Sequence, residues 1–321
     1  MAESTRRDAG LSFHLVDEEL RTALLEFPEI PVGEEHLPVL RARALEPLLP
    51  EPAPQPVVRT IPGAADHPKL EVLVIDPAPN DAGKAALLHV HGGGYFMGSP
   101  EASATSLQRY AIECGCVIVS VRYRLAPEAA FPKSLEDIYA ALLWLHGNAA
   151  ELGVDPARIG VGGESAGGGH AAALALAARD RNGPPLAFQF LIYPMLDDRT
   201  GTSRPVSPLV GEFVWTAEHN RFGWEALLGG PAGGDVPAGA VPARAEDLSA
   251  LPRAYIATGA LDLFVEENLL YAARLIAAGV PVEVYVEPGG FHGFGRMAPD
   301  AAVSRRFNAR ITEALRALTS R

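Results

Sequence analysis

The chain has 321 residues, of which 48% are hydrophobic and 21% charged, and this composition excludes a disordered chain. Its 27 basic and 39 acidic side chains give a formal net charge of −12, which disfavours binding to nucleic acids or anionic membranes. The apolar runs are too short to span a bilayer, and no apolar run follows the first arginines, so neither a membrane anchor nor a signal peptide is predicted. The two cysteines, Cys114 and Cys116, are too close in sequence for an ordinary disulfide, which favours a cytoplasmic location.

In chain order, residues 1–50 have the pattern of an amphipathic helical segment broken by prolines, and residues 51–57 form a proline-rich connector. Beyond them, short apolar runs rich in β-branched residues alternate with longer runs rich in alanine and leucine, a pattern that predicts parallel strands joined by helices. Strands are predicted at 70–75, 85–90, 117–121, 159–162, 188–193, 254–258 and 282–286, and helices at 102–114, 134–151, 166–180, 265–278 and 302–318.

One later stretch interrupts this alternation. Residues 199–250 contain a short aromatic helical piece and then a loop rich in glycine, proline and alanine. We expect this insertion and residues 1–50 to cover the carboxyl edge of the sheet rather than to form a domain of their own. The core is therefore predicted from residues 51–198 and 251–321, as an α/β fold with a mostly parallel sheet.

A serine lies between a predicted strand and a predicted helix, in Gly163-Glu164-Ser165-Ala166-Gly167. A sharp turn at this point lifts the serine hydroxyl above the sheet edge, and it needs small neighbours because the backbone is crowded; this is the pattern of a nucleophile elbow. The following helix directs its N-terminal amides at the serine, which favours a developing anion. A glycine-rich helix start without catalytic function would give the same pattern.

Three consecutive glycines follow an apolar predicted strand in the run HGGG at residues 91–94. Glycines let a backbone present N–H groups to a ligand without interference from Cβ. The run lacks the lysine of a phosphate-binding loop and the spacing of a dinucleotide-binding loop. We therefore interpret the amides of Gly93, Gly94 and Ala166 as an oxyanion hole, and His91 as a residue that braces the loop.

A nucleophilic serine needs a base and an acid, which in this type of fold follow it in the order acid, histidine. Asp262 comes just after the predicted strand 254–258, and His292 comes just after the predicted strand 282–286. The carboxyl ends of parallel strands meet at one edge of the sheet, so these side chains and Ser165 are predicted to form a catalytic triad. The alternatives are a helix cap for Asp262 and a surface-loop position for His292.

Two glutamates compete with Asp262 for the role of the orienting acid. Glu266 and Glu267 fall four and five residues later, where they would sit in the first helical turn and interact with the helix dipole. Asp262 is closest to the strand, where the backbone is held most rigidly, and its side chain has fewer rotamers to freeze. We therefore assign this role to Asp262.

Other residues near the motifs have less specific assignments. Tyr95, Phe96 and Met97 either continue along the wall of a substrate pocket or pack in the core. Glu164 and Glu128 brace each other or the oxyanion loop, or else are ordinary loop carboxylates. No metal or cofactor is implied by the sequence.

These motifs, with YRLAPE at 123–128 and HGF at 292–294, resemble those of the hormone-sensitive-lipase-like α/β-hydrolase esterases, especially the bacterial acetyl-esterase and heroin-esterase-like members. The resemblance covers roughly residues 55–320. It implies an α/β-hydrolase fold of about eight strands, a serine carboxylesterase activity, and a helical cap made from the N-terminal segment and the insertion. In the family an aspartate often precedes the nucleophilic serine, whereas in this chain the residue before Ser165 is Glu164. The family acid often lies in a D-P-x-x-D run, whereas here residues 262–266 have the sequence DLFVE.

The expected activity is hydrolysis of short-chain acyl esters, with acyl chains of about C2 to C8, through an acyl-enzyme. An amidase or arylformamidase would use the same triad and stays open, whereas an inactive ligand-binding member would be expected to lose Ser165 or His292. The expected partner is a small-molecule ester, without nucleic acid or stable membrane association. The predicted strand 282–286 is a candidate sheet edge through which a homodimer could form.

Overall fold

The computed structural model describes residues 10–28, 31–43, 54–67 and 69–320. In these ranges the strands form one eight-stranded sheet with the order β1-β2-β4-β3-β5-β6-β7-β8. They are β1 Val57–Pro62, β2 Lys69–Ile75, β3 Lys84–Val90, β4 Val117–Val121, β5 Val154–Glu164, β6 Phe188–Ile192, β7 Arg253–Gly259 and β8 Val282–Glu287. Only β2 pairs antiparallel with its neighbours β1 and β4, and the other described pairs are parallel. This α/β-hydrolase arrangement confirms the predicted fold class.

Helices connect the strands and cover both faces of the sheet. They are α1 Glu18–Glu26, α2 Leu37–Arg43, α3 Pro100–Cys114, α4 Lys133–Gly147, α5 Ala166–Asp180, α6 Ala217–Leu228, α7 Val265–Ala277, α8 Phe294–Met297 and α9 Ala302–Thr319. Short 3₁₀ turns lie at Phe13–Leu15, Glu34–His36 and Pro242–Arg244. The five helices of the predicted alternation are present within a few residues of the expected bounds, except that α4 ends four residues early.

One strand was not predicted, and another was predicted too short. The connector expected at 51–57 runs into β1, an edge strand whose mostly exposed residues lack the continuous apolar pattern of a buried parallel strand. The strand expected at 159–162 is longer, because β5 already begins at Val154, where it pairs with β3. Residues 51–53 of the expected connector lie outside the described residues.

The core lies on both sides of the sheet because successive strand residues face opposite ways. In β3, Ala86, Leu88 and Val90 pack with α4, α5 and α7, whereas Ala85 and Leu87 pack with α3 and α9. Every residue of β3 is buried. This two-sided burial holds the carboxyl ends of the central strands in fixed positions, and the loops at these ends carry the predicted site.

A third apolar cluster lies above the carboxyl edge. It joins Leu37 and Leu40 of α2 to Trp215, to Trp224 of α6 and to Phe96 of the glycine loop. Helix α1 packs elsewhere, in the same cluster as α3 and α9. The division into a core and a cap at 1–50 and 199–250 stays a prediction, and residues 1–9, 29–30 and 44–50 lie outside the described part.

Strand β8 lies at the edge of the described sheet, where it pairs with β7. A homodimer through this edge stays a prediction, as does the cytoplasmic location. In the described part of the chain, no helix has the length and apolar character needed to cross a bilayer.

Candidate active site

Ser165, Asp262 and His292 meet at the carboxyl edge of the sheet. Each follows a strand, since Ser165 comes directly after β5, and Asp262 and His292 lie in the loops after β7 and β8. The Ser165 hydroxyl lies 3.1 Å from Nε2 of His292, and Nδ1 of His292 lies 2.8 Å from Oδ2 of Asp262. Their exposed fractions are 7%, 0% and 7%. In this geometry an imidazole can accept the serine proton while the carboxylate holds its tautomer.

The backbone at Ser165 is strained, with φ 56° and ψ −123°. It is held there by its own hydrogen bonds. The Ser165 amide donates to the Ile192 carbonyl at 2.9 Å, and the Ser165 carbonyl accepts from the amides of Gly169 and Met195 at 3.0 Å. Strand β6 and the loop after it therefore fix the serine in the position that a nucleophile elbow requires.

The glycines around the serine are required by close contact with β3. A Cβ atom added at Gly163 would lie 2.2 Å from the Val90 carbonyl oxygen, and one added at Gly167 would lie 2.0 Å from the same oxygen. Both distances are far below van der Waals contact. The serine turn is thus packed directly against the end of β3, from which the glycine loop leaves.

The glycine loop has the conformation that only glycine adopts easily. Gly93 and Gly94 have φ angles of 122° and 59°, and a Cβ on Gly94 would lie 2.3 Å from the Trp215 ring. Within the described residues, the backbone N–H groups of Gly93, Gly94 and Ala166 donate to no protein atom. These three amides are the predicted oxyanion donors, and in this structure they are free to bind a ligand oxygen.

His91 lies beneath this loop and contacts it through both backbone and ring. Its Nδ1 donates to the Gly92 carbonyl at 2.9 Å, and its ring stacks on Tyr123 at 4.2 Å. The Tyr123 hydroxyl in turn donates to the His91 carbonyl at 2.9 Å. Burial lowers the pKa of His91 to about 4, so the ring is neutral near pH 7. These contacts are those of a bracing residue.

Glu164 and Glu128 do not brace each other. Glu164 accepts from Nε2 of His89 at 2.9 Å, and Nδ1 of His89 lies 2.8 Å from the Ser120 hydroxyl. Burial raises the pKa of the Glu164 carboxyl, but the charge and hydrogen bond of His89 outweigh this effect and lower it below the ordinary value. Glu128 instead receives two hydrogen bonds from Arg41 of α2, which lower its pKa to about 2.

The two glutamates that competed with Asp262 are bound elsewhere. Glu266 accepts from the Ser207 amide at 3.1 Å. Glu267 is 1% exposed and accepts from the amides of Leu196 at 2.6 Å and Asp197 at 3.3 Å. Burial raises the pKa of Glu267 well above its ordinary value. Glu267 therefore holds the loop after β6 through two hydrogen bonds. The sequence did not predict this role, because it indicated only that Glu267 lies in the first turn of a helix.

A cavity of about 1770 Å³ opens at Ser165 and His292. Phe96 and Met97 line it, whereas Tyr95 packs in the interior, where its hydroxyl donates to the Met195 carbonyl at 3.0 Å. Sequence reasoning missed two other lining residues, Tyr193 and Trp215, whose rings lie 4.8 Å and 6.0 Å from that of His292. Across the described ranges, no group of three or more His, Cys, Asp or Glu side chains is arranged to hold a metal ion.

Comparison with known families places residues 87–296 in a family described by the α/β-hydrolase fold. The chain is 37% identical to esterase LipI of Mycobacterium tuberculosis over 257 residues, which are 74% of this chain and 79% of LipI. It is 35% identical to carboxylesterase NlhH of the same species over 298 residues, which are 88% of this chain and 90% of NlhH.

Solved structures of esterases are also similar to this chain, over nearly its whole length. A bacterial heroin esterase superimposes with a TM-score of 0.87 at 38% identity, over 96% of this chain and 99% of that protein. Esterase LipW of Mycobacterium marinum superimposes with a TM-score of 0.80 at 31% identity, over 95% of this chain and 96% of that protein.

Proposed function

Because this chain belongs to the hormone-sensitive-lipase-like esterases of the α/β-hydrolase fold and is a carboxylic ester hydrolase, we propose that it cleaves short-chain acyl esters through a serine acyl-enzyme. The observation that carries this proposal is the hydrogen-bonded series Asp262–His292–Ser165 beside an open cavity. The activity needs no metal or cofactor in this proposal.

In the first half-reaction, Ser165 attacks the ester carbonyl while Nε2 of His292 takes its proton. The carbonyl oxygen becomes an anion and is bound by the amides of Gly93, Gly94 and Ala166. Asp262 accepts the Nδ1 hydrogen bond and stabilises the imidazolium that forms. His292 then gives the proton to the leaving alcohol, and the acyl group stays on Ser165.

In the second half-reaction, water takes the place of the alcohol. His292 removes a proton from this water, which attacks the acyl carbonyl, and the same three amides bind the oxyanion. Collapse of the intermediate returns the proton to Ser165 and releases the carboxylic acid. One set of groups thus serves both steps.

The proposed preference for short acyl chains rests on the shape of the cavity. Apolar and aromatic side chains above Ser165 close the side that faces α2 and α6, where Leu40, Phe96 and Trp215 pack together in the third apolar cluster. An apolar wall of this kind excludes water and limits the length of an acyl chain on that side of Ser165. We expect acyl chains of about C2 to C8 to react best, without activation at a lipid surface.

A panel of p-nitrophenyl esters from acetate to palmitate, with a p-nitroanilide control, tests the proposal. Wild-type protein should turn over the short esters best, and Ser165→Ala should lower kcat by roughly 10⁶. An organophosphate should label Ser165 and no other serine, as read by mass spectrometry of the digest. Full turnover by Ser165→Ala, a label on another serine, or best activity on palmitate or on the anilide would contradict it.

A further inference from the structure

The cavity extends beyond the triad on the side away from the apolar cluster. This extension is a groove between α3 on one side and α8 and α9 on the other. Its lining side chains come from one face of α3, at Ala102, Ser106 and Arg109, and from the opposite helices, at Arg296, Asn308 and Ile311. Four of these six side chains are polar, at Ser106, Arg109, Arg296 and Asn308.

Two of the groove side chains are arginines without a carboxylate partner. Most arginines in the described part of the chain bind a carboxylate or a backbone carbonyl, as Arg41 does with Glu128. Within the same residues, the side chain of Arg296 makes no hydrogen bond or ion pair, and the guanidinium group of Arg109 lies 5.6 Å from the ring centre of its neighbour Tyr110. Both guanidinium groups are therefore available to a ligand.

Among the described residues, the carboxylates that line the cavity form no ion pair with these arginines, although the charge of Arg296 acts on Glu164 and helps to lower its pKa. Glu113 pairs with Arg316 at 3.5 Å, and Glu164 binds His89. Glu212 is bound by the hydroxyl and amide of Ser12. The fourth, Glu218, lies in the first turn of α6, on the side of the apolar cluster. Four glutamates thus line the same cavity, but none of them holds either groove arginine in an ion pair within the described residues.

The groove lies on the side of the leaving group. His292 gives its proton to the leaving alcohol, so the alcohol part of the ester must lie beside its ring. Helix α8 starts at Phe294, two residues after His292, and its third residue is Arg296. An alcohol part that extends from His292 along α8 therefore enters the groove.

We propose that the groove is a subsite for an anionic alcohol part, so that the enzyme prefers esters of hydroxycarboxylic acids, whose free carboxylate is bound by Arg109 and Arg296. This inference rests on the proposed function of Ser165 and names the substrate class of the same site. Guanidinium groups present paired N–H donors that match the two oxygens of a carboxylate. A neutral alcohol part would leave both arginines in water.

The test compares acetate esters of ω-hydroxycarboxylic acids of increasing length, each beside the acetate ester of the matching primary amide. The readout is the ratio of kcat/KM for the acid over that for the amide, in which a general loss of activity cancels. The variants are R109Q, R296Q, the double variant, and R221Q as a control. Arg221 of α6 also forms no ion pair within the described residues, but it does not line the cavity.

For the best chain length, the wild-type ratio should exceed one and should fall as salt is added, because screening weakens the contact. The double variant should lower this ratio by roughly tenfold, the size expected for lost charge-assisted hydrogen bonds, and R221Q should leave it unchanged. A ratio at or below one at every length, or one that the double variant does not change, overturns the inference while p-nitrophenyl acetate turnover still supports the proposed function. Loss of turnover on every ester in the wild type overturns both.

Discussion

Two regions of this molecule are held in different ways. The catalytic rim, which comprises the loops after β3, β5, β7 and β8, is fixed by buried backbone contacts and by glycines that touch the neighbouring strand. The cover, which comprises α1, α2 and residues 199–228, joins the core through apolar packing and a few polar ties. In the proposed mechanism the rim carries the reacting groups, and we expect the cover to influence which substrate reaches them.

The polar ties of the cover show this difference. Arg41 of α2 reaches the Glu128 carboxylate and the carbonyls of Phe96 and Ala126. Near the N-terminus, Ser12 binds Glu212 of the insertion. Glu128 is more than half exposed, so its ion pair contributes little free energy. The cover is anchored at several points, each of them weak.

The largest effect should come from the acid of the rim. Asp262→Asn should lower kcat by roughly 10³ to 10⁴, because the amide favours the wrong imidazole tautomer. Glu266→Gln should cost less than about tenfold, since within the described residues the hydrogen-bond partner of the Glu266 carboxylate is the Ser207 amide, outside the triad. Steady-state kinetics of the two purified variants decide between them. A large loss in Glu266→Gln beside a near-normal Asp262→Asn would move the acid to Glu266.

The second-largest effect should come from Glu267, whose carboxyl binds the loop after β6, next to the rim. Glu267→Ala leaves the amides of Leu196 and Asp197 without an acceptor, and should lower the free energy of unfolding by about 3 kcal/mol. Glu267→Gln keeps an acceptor oxygen for the two amides, so its cost should stay below about 1 kcal/mol. Urea unfolding at neutral pH measures both. Equal losses in the two variants would contradict this account, because an acceptor oxygen at this position would then not be enough to hold the loop.

Acid should weaken the packing beneath the glycine loop. His170 contacts the rings of Tyr95 and Tyr123, and burial lowers its pKa to about 3. The unfolded chain, with an ordinary histidine pKa of about 6.5, binds more protons over this range, so stability falls as the pH falls. From about pH 7 to about pH 5, His170 should account for a loss of about 2 kcal/mol.

The matched variant is His170→Leu, which cannot be protonated. It should lose less stability than the wild type between the same two pH values, while His91, whose pKa burial also lowers, still contributes in both proteins. Thermal unfolding followed across this pH range measures the difference. Parallel curves for the two proteins would mean that His170 is not buried as a neutral ring.

The smallest effect should come from the cover. Glu128→Gln removes one partner of an exposed ion pair and should change the free energy of unfolding by less than about 1 kcal/mol. Its kcat on p-nitrophenyl acetate should stay within about twofold of the wild type, because the rim keeps its own bonds. Thermal unfolding and kinetics measure the two quantities. A loss as large as that of Glu267→Ala would make the cover part of the rigid frame.

The sequence was sufficient to predict those features that depend on residues close together in the chain. The fold class follows from alternating apolar runs, and the positions of Ser165, Asp262 and His292 follow from motifs that end strands. Strand β1 was not predicted, because it is an edge strand whose residues are mostly exposed and partly polar. A short run of that kind has no periodicity that distinguishes it from a connector.

Long-range pairs could not be predicted from the sequence. Glu128 binds Arg41, which lies 87 residues earlier in the chain, and Glu164 binds His89, which lies 75 residues earlier. Nothing in the local pattern of a loop carboxylate specifies which distant side chain the fold brings to it. Glu267 shows the same limit, because a glutamate in a first helical turn is usually solvated, whereas here the loop after β6 buries it.

The contact of Gly163 and Gly167 with the Val90 carbonyl has a consequence for protein engineering. Any side chain at either position would push the serine turn away from the strand that carries the glycine loop, and so separate nucleophile from oxyanion donors. A mutant library intended to change the accepted esters should leave both codons fixed. Diversity is better placed at Met97 and Trp215, whose side chains line the cavity without forming the joint between those two loops.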